Sequence, residues 1–185
     1  MLHMSMSVNT KDVDLRAASK FVNELIKGPL LIAEIGTCQG KNAVRMLRGM
    51  DIDRLYLIDS YPDYTDGTHV RKGELQENYY KAMFTNIQPY LSKITLVTKD
   101  SLFAAALFKN NAFDFVYVDG WHAYSQVKKD MEAWWPKVKK GGVLGGHDIG
   151  HIEFPGVAKA VEGFSKDFKV EFKCVGESDW VIIKD

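Results

Sequence analysis

Four side chains able to do acid–base or metal chemistry stand in two pairs within one stretch of this chain, Asp119 with His122 and His147 with Asp148. Carboxylates and imidazoles in company can hold a divalent cation, and an imidazole can move a proton near neutral pH. Each pair follows a short apolar run. Phe113 to Val118 leads into Asp119-Gly120, and Val143 to Gly146 leads into His147-Asp148. Between them, Tyr124, Val127, Met131, Trp134, Trp135 and Val138 recur at helical spacing, with Gly141-Gly142 as the expected stop. Strand, helix, strand at this length predicts a right-handed crossover between parallel strands. Both pairs then lie on one edge of one sheet. Neighbouring strands are only ~4.8 Å apart, so the four side chains can meet one ligand or one ion.

The rest of the chain supplies the sheet that must carry them. Asp12 to Lys27 reads as an amphipathic helix and Leu30 to Ile35 as a buried strand feeding Gly36-Thr-Cys-Gln-Gly40. A helix to about Arg48, a strand Leu55 to Ile58 ending at Asp59, and a polar loop Ser60 to Lys72 follow. Then come a helix Gly73 to Tyr90, a strand Ile94 to Thr98 ending at Asp100-Ser101, and a short helix Leu102 to Phe108. After the central stretch, a helix Val157 to Phe164 precedes strands Lys169 to Val175 and Trp180 to Ile183, whose short link predicts an antiparallel hairpin. The fold class expected is α/β: a doubly wound, Rossmann-like and mostly parallel sheet closed by a C-terminal antiparallel hairpin. Ligands in such sheets sit beyond the carboxyl ends of the strands. Here those ends carry Glu34, Gly36, Asp59, Asp100, Asp119, His147 and Asp148.

Composition narrows the classes. At 185 residues the chain is expected to be one domain, 1–185, with 1–11 a loose lead-in. Lys+Arg and Asp+Glu balance at 24 each and no basic stripe is visible, which argues against a nucleic-acid partner. No apolar stretch approaches a membrane span, and Cys38 and Cys174 form no metal or redox pair, so reduced thiols in a cytoplasmic protein are expected.

The turn Gly36-x-x-x-Gly40 is not the dinucleotide fingerprint, because Cys38 and Lys41 stand where glycines are needed, and no P-loop is present. A nucleoside-like ligand without a cradled phosphate remains, with Asp59 placed to accept from a ribose diol; the alternative is a tight strand–helix turn with Asp59 as a cap. Taken with Lys99-Asp-Ser101, Val118-Asp-Gly, Gly-Gly-His-Asp148, Gly156 to Val161 and Ser178 to Ile182, the chain resembles class I S-adenosylmethionine-dependent methyltransferases. More narrowly it is similar to the small-molecule O-methyltransferase group of macrolide-sugar and catechol-type enzymes.

That resemblance implies methyl transfer from S-adenosylmethionine to a hydroxyl of a small molecule or sugar. Glu34, Gly36, Thr37 and Gly40 would lie at the methionine part, Asp59 with Ser60 at the ribose, Asp100 and Ser101 near the adenine, and Asp119 beside the transferring methyl. Asp119, His147 and Asp148 would hold a divalent metal, Mg²⁺ or Mn²⁺, or else bind the substrate or the cofactor's ammonium. His147 departs from the all-oxygen pattern of metal-dependent relatives, and Mg²⁺ prefers oxygen donors. His122 stands where catechol-type relatives carry a lysine and is the candidate base, with helix capping as the alternative. The Ser60 to Lys72 loop is either a lid or acceptor wall or a surface insertion. So small a domain leaves room for a second copy, in a homo-oligomer, to complete the acceptor pocket. The competing functions are a nucleoside-binding module without catalysis and methylation of a nitrogen or a macromolecule.

Overall fold

The computed structural model describes residues 14–66 and 69–185; the expected lead-in and the first residues of the first helix lie outside them. In chain order the elements are α1 (Ala17–Leu25), β1 (Leu30–Ile35), α2 (Lys41–Gly49), β2 (Ile52–Ile58), β3 (Tyr64–Asp66), β4 (His69–Arg71), α3 (Glu74–Ile87), β5 (Ile94–Val97), α4 (Ser101–Ala106), β6 (Phe113–Val118), α5 (Tyr124–Trp134), β7 (Val138–Gly146), α6 (Pro155–Phe168), β8 (Lys173–Val175) and β9 (Asp179–Ile183). Seven strands form one sheet in the order β5-β2-β1-β6-β7-β9-β8. The first five are parallel, and β9 runs antiparallel to both β7 and β8. This is the doubly wound sheet with a closing hairpin that the patterning predicts.

Two apolar layers explain why the chain folds so. On one face Ala18, Val22, Ala43, Met46, Met83 and Ile87, from α1, α2 and α3, cover the sheet. On the other, Ala104, Val127, Met131, Trp134, Val161 and Phe164 from α4, α5 and α6 do the same. The helical stripe of α5 is therefore core. Trp134 is fully buried, and its removal is worth roughly 3–5 kcal/mol on general grounds. Strand order reverses between β1 and β6: the chain winds outward through β2 and β5, then returns to β6 and continues to β7. A doubly wound sheet opens its ligand crevice at such a reversal.

The structure moves several boundaries. Pro136 lacks an N–H and cannot continue α5, so the chain passes through a 3-10 turn, Trp135–Lys137, and β7 begins at Val138. Gly141-Gly142, expected as a helix stop, lies inside β7; a Cβ at Gly142 would stand 2.9 Å from the Asp114 carbonyl oxygen. Pro155 opens α6 two residues early, and Lys169 ends it in the left-handed region, which shortens the strand expected from Lys169 to Lys173–Val175. The polar Ser60 to Lys72 connection contains the antiparallel hairpin β3–β4.

Candidate active site

Beyond the carboxyl ends of β1, β2, β5, β6 and β7 lies a cavity of about 880 Å³. Every site residue singled out from the sequence lines it except Gly40. That glycine opens α2 in the left-handed region, and a Cβ there would meet Ile87 and Met83 of the core at 3.1 and 3.3 Å.

The turn after β1 is held by backbone. The Gly36 amide donates to the Ile58 carbonyl at 2.9 Å, and the Asp119 amide donates to the Ile35 carbonyl at 2.8 Å, stitching the ends of β1, β2 and β6 together. Gly36 has φ +86°, and a Cβ there would lie 2.2 Å from the Asp119 carbonyl oxygen. The glycine is thus demanded by the neighbouring strand end as well as by the turn. Asp59 braces the same turn: its Oδ2 accepts from the Cys38 amide at 2.9 Å and its Oδ1 from the Tyr61 amide at 2.8 Å. Burial raises its pKa against these amide bonds. Asp59 caps no helix, since Gly40 opens α2 without a side-chain cap; it braces the turn, with its carboxylate on the cavity wall. Burial likewise pushes the Cys38 thiol up, which suits turn packing rather than a thiolate nucleophile.

Glu34, at the end of β1, is buried. Its Oε1 accepts from Asn42 Nδ2 at 2.8 Å, while Oε2 has no hydrogen-bond partner. Burial outweighs the Asn42 bond and raises its pKa to about 8. An unpartnered buried carboxylate oxygen on a cavity wall suits a cationic or donor group in the ligand. The Thr37 hydroxyl beside it is also buried without a partner. Asp100 caps α4, its Oδ1 accepting from the Leu102 and Phe103 amides at 2.9 and 3.3 Å. Ser101 donates to the Asp130 carboxylate. Ser60, after β2, is exposed at the cavity rim.

On the β6–β7 side the wall is charged. His122 Nε2 lies 3.0 Å from Asp148 Oδ2 and 3.8 Å from Asp119 Oδ1, and the ring stacks on Phe154 with centroids 4.1 Å apart. Burial opposes its charge, but Asp119 and Asp148 outweigh burial and raise its pKa to about 10. The two histidines in turn outweigh burial at Asp148 and hold that carboxyl well below the usual range. Asp148 has φ +62° without being glycine, a strained backbone of the kind that gathers at functional sites. Ligand atoms of Asp119, His122 and Asp148 all lie within 4.8 Å of one another. His147 stands outside this trio, its Nδ1 2.8 Å from the other oxygen of Asp148.

Three residues in this network carried no signal in the sequence. Arg16, just before α1, places Nη1 2.5 Å from Asp119 Oδ2 and 3.0 Å from the Tyr117 hydroxyl. Tyr117 donates to Asp179 Oδ1 at 3.0 Å, and Asp179 Oδ2 accepts from the Ala18 amide at 2.8 Å. Arg16 and Asp119 are 103 positions apart; only the fold brings them together. The hairpin β3–β4 closes another side, with Tyr64 and Trp121 ring centroids 5.8 Å apart and Arg71 over the Tyr79 ring. The Ser60 to Lys72 connection is thus a wall of the cavity. The side chains of Asp66 and His69 lie outside the described residues.

Known proteins share this fold. A family model described as a methyltransferase domain matches residues 33–149, more than half of the chain. The fold is similar to that of the O-methyltransferase NovP, with a TM-score of 0.65 at 13% identity over 91% of this chain and 79% of that one. It is also similar to a putative caffeoyl-CoA O-methyltransferase from Staphylococcus aureus, with a TM-score of 0.64 at 17% identity over 92% and 84%. An rRNA methylase from Streptococcus thermophilus aligns with a TM-score of 0.62 at 11% identity over 90% and 93%. No curated protein matches the sequence. Among the described residues no helix is long and apolar enough to cross a membrane. With its strand-end cavity and its matched sequence, the chain belongs to the methyltransferase-domain family and has the class I S-adenosylmethionine-dependent methyltransferase fold.

Proposed function

We propose that the protein transfers the methyl group of S-adenosylmethionine to a hydroxyl of a small molecule or sugar. The observation that carries this is His122 held between Asp119 and Asp148 at the wall of the cavity. Displacement at a sulfonium methyl needs an aligned oxygen nucleophile and a group to take its proton. With a pKa of about 10, His122 is an imidazolium at neutral pH and cannot yet act as that group. Two negative charges hold its proton. Asp119 would face the positive sulfonium of a bound donor, which would loosen its hold on the His122 proton and let Nε2 pass that proton to solvent before it accepts one from the acceptor hydroxyl. The base then appears when the methyl donor is in place. Asp148, fixed by His147, keeps the ring aimed.

Asp119, His122 and Asp148 can also hold a divalent ion. Two carboxylates and one imidazole suit Mn²⁺ better than Mg²⁺. Such an ion would lower the pKa of an acceptor hydroxyl. Arg16 already neutralises one oxygen of Asp119, so the trio is partly compensated without it.

The balanced charge of the chain, 24 basic against 24 acidic residues, favours a small acceptor over a nucleic acid. Exposed Trp121 on the cavity wall suits an acceptor with an apolar body. Calorimetric titration with S-adenosylhomocysteine, first in chelator and then with Mn²⁺, tests the cofactor and the ion separately. Micromolar binding in chelator is expected, followed by methyl transfer to hydroxyl acceptors in a panel. No binding under either condition would remove the methyltransferase proposal.

A further inference from the structure

The charged wall contains a cation to which the reaction above gives no task. Arg16 stands in extended backbone just before α1, and its side chain, only 23% exposed, lines the cavity. Its Nη1 carries two N–H groups, and both are engaged. One goes to Asp119 Oδ2 at 2.5 Å and the other to the Tyr117 hydroxyl at 3.0 Å. The guanidinium carbon also lies 5.6 Å from the centre of the Tyr117 ring, within cation–π range. Tyr117 is fully buried and donates to Asp179, which in turn accepts from the Ala18 amide of α1. An arginine on an open surface samples many rotamers. This one is fixed through β6 and β9, as a built part of the wall.

What it is built against is the carboxylate pair. Each oxygen of Asp119 and Asp148 faces a basic group of the chain itself. Arg16 Nη1 is at Asp119 Oδ2, His122 Nε2 is 3.8 Å from Asp119 Oδ1 and 3.0 Å from Asp148 Oδ2, and His147 Nδ1 is 2.8 Å from Asp148 Oδ1. Of these three groups only the guanidinium carries a permanent charge, because arginine is not deprotonated in proteins. A divalent ion is held by the negative charge of its ligands as well as by their geometry. Asp119 and Asp148 offer two such charges, and Arg16 cancels one. An ion seated among Asp119, His122 and Asp148 would also lie a few ångströms from a fixed positive charge. Repulsion at that range costs about tenfold or more in affinity even with the screening of bulk water.

We propose that Arg16 is the resident cation of this site: a positioning residue that holds Asp119 Oδ2 and competes with divalent ions for that carboxylate, so that the wall is charge-compensated without a metal. The competition rests on geometry alone, and only its bearing on methyl transfer rests on the function proposed above. Tyr117 is the support that keeps the guanidinium in place, since its hydroxyl takes the second Nη1 proton while its own proton goes to Asp179. A divalent ion gains full use of Asp119 only when Arg16 lets go of it.

The test titrates Mn²⁺ into the wild-type protein, Arg16→Met and Arg16→Lys, and follows the electron paramagnetic resonance signal of the free aqueous ion, which fades as the ion binds. Arg16→Met is expected to bind Mn²⁺ about tenfold or more tightly than the wild type, because the competing charge is gone. Arg16→Lys keeps the charge and is expected to stay near the wild type. An unchanged affinity in folded Arg16→Met would overturn the proposal. Equal tightening in both variants would do so too, since it would mark a loosened wall rather than a removed charge. Should Arg16→Met fail to fold, Tyr117→Phe carries the test: it keeps the ring and removes the hydroxyl that steadies Nη1. Mn²⁺ binding should then tighten about threefold, the worth of one modest hydrogen bond, and no change would overturn the role of Arg16. S-adenosylhomocysteine titrated in chelator judges the methyl-donor reading separately. Its binding beside an unchanged Mn²⁺ affinity would sink the role of Arg16 and leave that reading standing. Its failure to bind, with Mn²⁺ behaving as expected, would do the reverse.

Discussion

On the β1–β2 side of the sheet edge, the cavity wall is mostly backbone. Gly36 and the Cys38 turn are held by main-chain amides and by Asp59, which is engaged with two of those amides. On the β6–β7 side the wall is made of side chains of opposite charge: Arg16 on Asp119, and His122 and His147 on Asp148. One half selects by shape and by backbone amides, with Glu34, raised to about 8, as its one carboxyl near its titration point at neutral pH. The other half changes its charge with pH and with what enters the cavity. Under the proposed function binding and chemistry fall to different materials, and the two halves should fail differently when altered.

The largest effect is expected at the joint between them. Gly36→Ala puts a methyl group 2.2 Å from the Asp119 carbonyl oxygen at a φ of +86°, and neither backbone can yield without opening the sheet edge. We expect a loss of about 3–5 kcal/mol in urea unfolding together with loss of cofactor binding. A loss under about 1 kcal/mol would show that the two strand ends are not locked together. Next, His122→Gln should lower turnover by about 10²- to 10⁴-fold while S-adenosylhomocysteine affinity stays within a few fold, separating the chemical half from the binding half. Equal losses in both would erase the distinction.

A third test uses pH. His122 has its folded pKa raised to about 10, so the stability it contributes is complete below the unfolded value near 6.5 and is lost as pH rises toward 10. The difference in unfolding free energy between wild type and His122→Gln should therefore shrink by about 2–4 kcal/mol from pH 6.5 to pH 10. A constant difference would mean that the carboxylates do not hold the proton. Asp148 acts in the opposite sense: its contribution is present above the unfolded carboxylate pKa and disappears as acid is added. The smallest effect is expected at Asp100→Ala, which removes an exposed cap from α4 at a cost of about 1 kcal/mol.

How much of this the sequence discloses follows from the range of each signal. The strand ends are visible because each apolar run stops at an acid or a glycine, and Leu30–Ile35 and Phe113–Val118 begin and end where the patterning places them. His122 is visible for the same reason, three positions after Asp119. The trio that comes within ligand distance, however, takes His122 where the family resemblance implied His147, and Asp148 turns through a left-handed backbone that no local pattern announces. Arg16, Tyr117 and Asp179 form their network over separations of 62 to 103 positions. In the sequence Arg16 looks like an ordinary polar-face residue of the expected Asp12 to Lys27 helix, and only its place in the fold, just before α1 and beside Asp119, gives it a role. Asp130 is different, since its signal was present: an acid falls between Val127 and Met131 on a stripe that should be apolar. The hairpin β3–β4 was hidden by its polar composition, because alternation in three-residue strands is too brief to stand out from a loop.

The bond from the Ala18 amide to Asp179, with Tyr117 donating to the same carboxylate, has a consequence for assembly on the ribosome. Strand β9 inserts between β7 and β8 after both have been synthesised, and it brings the acid that fastens α1. Until then Tyr117 has lost one partner, α1 has no anchor at its first turn, and Arg16 is not held beside Asp119. The nascent polypeptide can complete five parallel strands and their covering helices and still have an unfinished charged wall. The charged wall is thus completed only when β9 docks, after most of the apolar core has closed.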